Sequence, residues 1–291
     1  MTPTRSVAHG ILFVLAAVAC FVVLDTSVKL VSSVVPVMMA VWFRYLFQAV
    51  LVSAVMLPVR GKQLLKTANP RFQVVRGALL LTVSLLGFFS VSMMPVGEFT
   101  AIVLLSPLMM TLAAAVVLKE HVSAQRWALV AGGFAGALLI VRPGGQLSGW
   151  VMLLPLLLVV LNAAFQILTS KMARTEDPMT MHFYTGWIGA MGMTALLPWF
   201  WTELPNTTTL LQLCLVGLMG TLGHFFLILA YGRAPASTLG PYFYGQIGFA
   251  LLAGWLVFGH IPGALEWAGV ALIAGCGVAA ARLNVKEAAS T

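Results

Sequence analysis

The chain has 291 residues, of which 60% are hydrophobic and 8% charged, with a net charge of +8. With its 27 glycines added, about 69% of it is apolar, against roughly 45–50% in a soluble domain where charged residues reach about 25%. So few charges cannot cover a water-soluble fold, and disorder is excluded because disordered chains are poor in apolar residues. The apolar stretches run for about 20 residues without strict alternation, which argues against an outer-membrane barrel. The expected class is an all-α membrane protein with the lipid bilayer around it. Its basic residues lie singly between apolar runs, so the positive charge reports loop orientation rather than a nucleic-acid partner. Cys20, Cys214 and Cys276 all fall inside apolar stretches, a pattern of neither a disulfide framework nor a metal site. No metal or cofactor is expected.

A hydrocarbon core of ~30 Å needs about 20 helical residues. Loop signals divide the chain into ten expected spans: 10–32, 36–58, 73–93, 97–118, 125–141, 149–169, 180–201, 208–231, 236–258 and 264–282. The first run continues past Cys20 to about Val31, too long for a signal segment, and is read as a retained helix. Pro36, Pro95, Pro178 and Pro235 stand at helix starts, where a missing N–H does no harm. With the N-terminus inside, 13 of the 16 basic residues fall on the cytosolic side, as orientation by positive loops requires. Arg76 is counted among them; Lys29, Arg44 and Arg142 are not. Both termini are therefore expected in the cytoplasm of a multi-pass inner-membrane protein. Asn206-Thr207-Thr208 matches a glycosylation sequon and is read as chance.

The sequence repeats itself at a persistent offset of 140. Gly77 meets Gly217, Pro95 meets Pro235, Trp127-Ala128 meets Trp267-Ala268, and Arg142 meets Arg282. Earlier in each half the offset is 142, pairing Lys29 with Lys171 and Pro36 with Pro178. Each unit, 1–142 and 143–291, holds five expected spans, and an odd number obliges the two units to face opposite ways. Inverted repeats characterise secondary transporters, whose substrate site lies near the midplane where the halves meet.

Trp42-Phe43-Arg44-Tyr45 in the second span resembles the arginine–phenylalanine signature of the drug/metabolite transporter superfamily, EamA type. So do Leu105-Ser106-Pro107, the Lys119-Glu120-His121-Val122 segment with Gln125, and Arg233-Ala234-Pro235-Ala236-Ser237 before the ninth span. Gly259-His260 precedes the tenth, with His260 where many relatives carry an acid. The resemblance implies ten helices as two inverted five-helix repeats and a central cavity lined by spans one, three, four, six, eight and nine. It also implies transport of a small molecule, and by analogy with bacterial exporters, of amino acids including aromatic ones.

Polar groups at membrane depth are costly and mark function by default. Asp25 and Lys29 share a face near the outer end of the first span, and Arg44 lies at matching depth in the second. Asp25 is expected to pair with Lys29, Arg44 or both, as a clamp or gate. The midplane offers no acid, only neutral groups. Asn162 and Gln166 share a face of the sixth span, and Tyr242 and Gln246 a face of the ninth. Ser84 and His224 are related by the offset of 140, as are Ser106 and Gln246. These seven are the expected substrate-binding residues, with Phe88, Phe89, Trp187, Phe225, Tyr244 and Phe249 as candidate walls. Gly132 and Gly136, together with Ala271, Gly275 and Ala279, are expected to pack the fifth and tenth spans closely. No G-x-x-x-x-G-K, H-E-x-x-H or G-x-S-x-G motif occurs, so neither an enzyme nor an ATP-driven pump is expected. The leading expectation is a monomeric secondary transporter exporting neutral amino acids or similar metabolites by alternating access. Proton-coupled efflux of cationic drugs and a non-transporting scaffold or receptor are the alternatives.

Overall fold

The computed structural model describes residues 3–93, 99, 102–141, 149–204, 206–259 and 261–289. Among these there is no strand. Ten longer helices follow in order: α1 Pro3–Val31, α2 Val37–Arg60, α3 Pro70–Met93, α4 Ser106–Val117, α5 Ala124–Val141, α6 Leu153–Met172, α7 Pro178–Leu196, α8 Thr207–Tyr231, α9 Gly245–Phe258 and α10 Ala264–Ala289. Six stretches are long and apolar enough to cross a bilayer: Ser6–Val31, Val37–Leu65, Trp150–Met172, Thr207–Tyr231, Ala236–Phe258 and Ala264–Leu283. The Pro95 and Arg142 repeat pairs, His260, the Phe88 side chain and the start of the fourth expected span lie outside the described residues.

Local chemistry sets the boundaries. The Asp177 side chain accepts from the backbone N–H of Met179 and Thr180, both at 3.0 Å, and Pro178 opens α7 behind it. Asn206 caps α8 by accepting from Thr209 N at 2.8 Å, which gives the sequon asparagine a structural role. Gly259 ends α9 in the left-handed region at φ 69°. Lys119 follows α4 at φ 55° without a glycine's freedom. Lys119 and Gly259 are matched by the same repeat offset. The ninth expected span is not one α-helix: a short turn at Ala236–Leu239 passes through a 3-10 segment, Gly240–Tyr244, before α9 begins. Pro241 lies inside that segment, where its missing N–H and fixed φ disfavour a continuous α-helical ladder.

The strongest helix pairings join the first five helices to the second five: α1 with α8, α5 with α10, α2 with α7, α3 with α6, α2 with α8, α3 with α7, α4 with α6 and α1 with α9. Exchanging each helix for the one five places along the chain returns the same set. Lipid is as apolar as leucine, so helices associate through close packing at small residues rather than hydrophobic burial. A Cβ at Gly217 of α8 would fall 2.4 Å from Phe47 Cβ of α2, and one at Gly77 of α3 would fall 2.7 Å from Ile188 of α7. On α7, Gly186 and Gly189 admit Ala49, Gln48 and Tyr45 of α2. The α5–α10 contact runs through Gly132 and Gly136 as expected, but against Gly269, Ile273 and Cys276; Gly275 has nothing within 4 Å of its Cβ position. The tenth helix therefore turns a different face inward from the small-residue stripe read in its sequence.

Candidate functional site

Arg44 projects from α2 into the interior and is the centre of a polar layer. Its Nη1 donates to Ser84 Oγ of α3 at 3.3 Å, and its Nη2 to His224 Nε2 of α8 at 2.5 Å. Ser84 and His224, equivalent positions of the two repeats, thus meet on one arginine. Ser84 spends its own hydroxyl hydrogen on Leu80 O at 2.9 Å, so the contact with Tyr45 at 3.1 Å has the phenol as donor. Arg44 cannot accept a hydrogen bond, so His224 Nε2 accepts and the ring proton sits on Nδ1. That Nδ1 and Arg44 Nε are both buried without a partner, each orphan group costing roughly 1–3 kcal/mol. Phe21 of α1 packs on the His224 ring at 4.8 Å and Phe165 of α6 edges it at 6.1 Å.

The ion pair expected for Asp25 does not form: neither Lys29 nor Arg44 comes within ion-pair distance. Asp25 instead accepts from Gln246 Nε2 of α9 at 3.4 Å and acts on Arg44 only at longer range. Lys29 rests over the Phe258 ring, 4.4 Å from its centroid. The reason lies in packing: α1 presents Asp25 and Lys29 to α9, while Arg44 turns toward α3 and α8. Gln166 accepts from Tyr231 OH, which also contacts Met110 at 3.1 Å, so its carbonyl is tied up inside α4, α6 and α8. Asn162 is half-buried with no protein partner. Ser106 Oγ is buried and unpaired at the start of α4. Tyr242 is buried in the 3-10 segment. Among the aromatic candidates, Phe89, Trp187 and Phe249 are exposed, Tyr244 bonds Leu104 O at 3.2 Å, and Phe225 packs on His182. The rings that enclose the polar layer, Phe21 and Phe165, were not among them.

A second buried layer lies toward the α2–α3 and α6–α7 loops. Arg76, only 1% exposed, donates through Nε to Thr169 at 2.8 Å and through Nη1 to Met181 O at 3.1 Å and to Thr185. It is therefore an interior cation, not the loop cation its sequence position suggested. Beside it Gln48 donates to His182 Nδ1 at 3.2 Å and to His182 O at 2.9 Å. Beyond this layer, carboxylates fasten the loops together. Glu176 accepts from Thr67 at 2.8 Å and from Asn69 N and Nδ2, both at 3.1 Å. Glu120 accepts from Arg174 at 3.0 Å and from Ser237 N and Oγ at 3.0 and 2.8 Å. Asp177 pairs with Arg60 at 2.7 Å. Partial burial works to raise the Asp177 carboxyl, but Arg60 and the N–H groups of Thr180 and Met179 hold it below its usual value. No cluster of three or more metal-ligating side chains occurs among the described residues.

An apolar helix bundle with polar layers buried between two sets of five helices defines a helical membrane protein of the transporter kind. The chain belongs to the EamA-like transporter family, whose model matches twice, over residues 8–142 and 149–280. A riboflavin transporter of Rhizobium johnstonii is 32% identical over 93% of this chain and 90% of its own length. An S-adenosylmethionine uptake transporter of Rickettsia prowazekii is 25% identical over 89% of this chain and 87% of its own. A solved crystal structure of a protein with 16% identity shares the fold, with a TM-score of 0.83 over 96% of this chain and 98% of its own. The protein is a multi-pass membrane transporter for a small molecule, and not an enzyme. Neither relative is an amino-acid exporter, so that narrower expectation finds no support in them.

Proposed function

We infer that the chain is a secondary transporter carrying a planar heteroaromatic metabolite of the riboflavin class across the inner membrane by alternating access. The observation that carries this reading is the Arg44 layer. Two residues at equivalent repeat positions, one from each half, converge on a single arginine, and two aromatic rings flank the histidine of the pair. A planar ring system needs aromatic faces and a few fixed donors, which that layer supplies. The length-wide similarity to a riboflavin transporter supports the same class. Ten spans, halves of opposite orientation (1–142 and 143–291) and cytoplasmic termini complete the proposal. They are supported by helix pairings that return to themselves when the halves are exchanged and by the left-handed residues at Lys119 and Gly259. Asn162, Gln166, Tyr242, Gln246, Ser84, Ser106 and His224 line the path, with Asp25 and Lys29 at its outer side. In the described conformation carboxylates fasten the loops at the end taken as cytosolic.

Uptake into proteoliposomes tests the reading with riboflavin, S-adenosylmethionine, phenylalanine and a cationic dye offered separately. Saturable riboflavin flux exceeding the other three is the expected result. Faster flux of phenylalanine would restore amino-acid export, and flux of none of the four would sink the reading.

A further inference from the structure

We propose that Arg44 and His224 form a donor-only recognition element that selects aromatic ligands bearing acceptor oxygens, carbonyl or carboxylate, and rejects aromatic cations. The inference rests on the reading of the Arg44 layer as part of the substrate path, and it assigns that path a chemical preference. On Arg44, Ser84 and His224 every polar valence left over is a donor. Ser84 Oγ is filled by Arg44 and Tyr45 and gives its hydrogen to Leu80 O. His224 Nε2 is filled by Arg44, which leaves Nδ1–H, and Arg44 retains Nε–H; both are buried and unpartnered. Arg44 has no carboxylate at ion-pair distance. Asp25, which acts on it at longer range, accepts from Gln246 and lies one helical turn from Lys29.

The orphan donors are sealed in this conformation. A Cβ at Gly220 of α8 would lie 3.0 Å from Arg44 Nε, so the arginine is laid directly against the α8 backbone. A shift of α8 against α2 across that contact unseals Nε and carries His224 with it. Acceptor oxygens on the ligand then complete the hydrogen bonds that the empty layer leaves unmade. An ammonium or sulfonium in the same position meets only donors and a guanidinium charge. The two ligands named for the relatives differ in this respect: a flavin ring presents two carbonyls and no fixed cation, whereas S-adenosylmethionine carries a sulfonium and an ammonium beside its carboxylate.

The test uses a matched pair that differs only in the group at issue, indole-3-acetate and tryptamine, with lumiflavin alongside. Binding to the purified full-length protein is followed by calorimetry for the indoles and by ligand fluorescence for lumiflavin. The wild type is expected to favour indole-3-acetate over tryptamine at least tenfold. Arg44→Gln and, should that variant fail to elute as a single species, His224→Gln are expected to bring the ratio within about twofold of unity. A wild-type ratio at or below one overturns the inference, as does an unchanged ratio in both variants. Failure of lumiflavin to bind, with the indole ratio intact and sensitive to Arg44, would remove the flavin reading and leave the acceptor preference standing.

Discussion

The two five-helix halves use the same backbone devices and different polar chemistry. Gly77 and Gly217, matched by the repeat offset, each let a helix of one half cross a helix of the other at a distance no side chain would permit. At the same spacing Ser84 and His224 differ, and at the earlier offset of 142 the counterpart of Arg44 is Gly186, which packs on Ala49 and Gln48. Sterics govern the crossings, and both halves must obey them. The polar layer, proposed above to meet the ligand, is under no such constraint, and there the two copies have parted.

That contrast can be broken most forcefully at the crossings. Gly77→Ala and Gly217→Ala should each destabilise the protein by roughly 1–3 kcal/mol through overpacking, seen as lower melting temperatures in detergent. If only one of the two is costly, the crossings are not equivalent. Next in size is His224→Ser, which gives the second half the residue of the first. It should reduce riboflavin flux about tenfold and, because Arg44 loses its buried acceptor at a cost of roughly 1–3 kcal/mol, also lower the melting temperature. Flux at the wild-type level would show that the asymmetry is not functional. Smaller again is Lys119→Gly, which copies Gly259. Relief of a left-handed conformation worth about 1 kcal/mol should raise the melting temperature slightly, and a decrease would mean that Lys119 has contacts that outweigh its strain.

The smallest effect belongs to Asp177, whose carboxyl is held below its usual value. A depressed folded-state pKa stabilises above the unfolded value of about 3.9, and the contribution fades as pH falls through the folded value. Wild-type stability should therefore decline on acidification below about pH 4 more than that of Asp177→Asn. The difference should stay under about 1 kcal/mol, because the Asp177 and Arg60 side chains are 40% and 41% exposed. Parallel acid profiles for the two proteins would remove Asp177 from the fastening of the loops.

Depth was legible in the sequence; direction around the helix was not. Counting residues from the helix ends set Asp25, Lys29 and Arg44 at one expected level, and the repeat offset related Ser84 to His224, both of which bond Arg44. Neither could say that α1 turns Asp25 toward Gln246 of α9 while α2 turns Arg44 toward α3 and α8. Azimuth is decided by which helices pack, a long-range property that a single apolar stretch does not encode. Phe21 and Phe165 were missed for the same reason, since inward and lipid-facing aromatics look alike in so apolar a chain. Arg76 was misplaced because, so soon after Pro70, a cation can reach either water or the bundle interior. Only the acceptors on α6 and α7 decide between them. Helix starts were more readable because prolines such as Pro178 act through their own backbone.

Arg76 also imposes an order on synthesis. Its acceptors, Thr169, Met181 O and Thr185, follow it in the chain by 93, 105 and 109 residues. At roughly 5–20 residues per second, the ribosome needs about five to twenty seconds to deliver them. Until then Arg76, in the second turn of its helix, can keep its guanidinium at the lipid headgroups, and the first half of the molecule lacks these bonds until much of the second has been made.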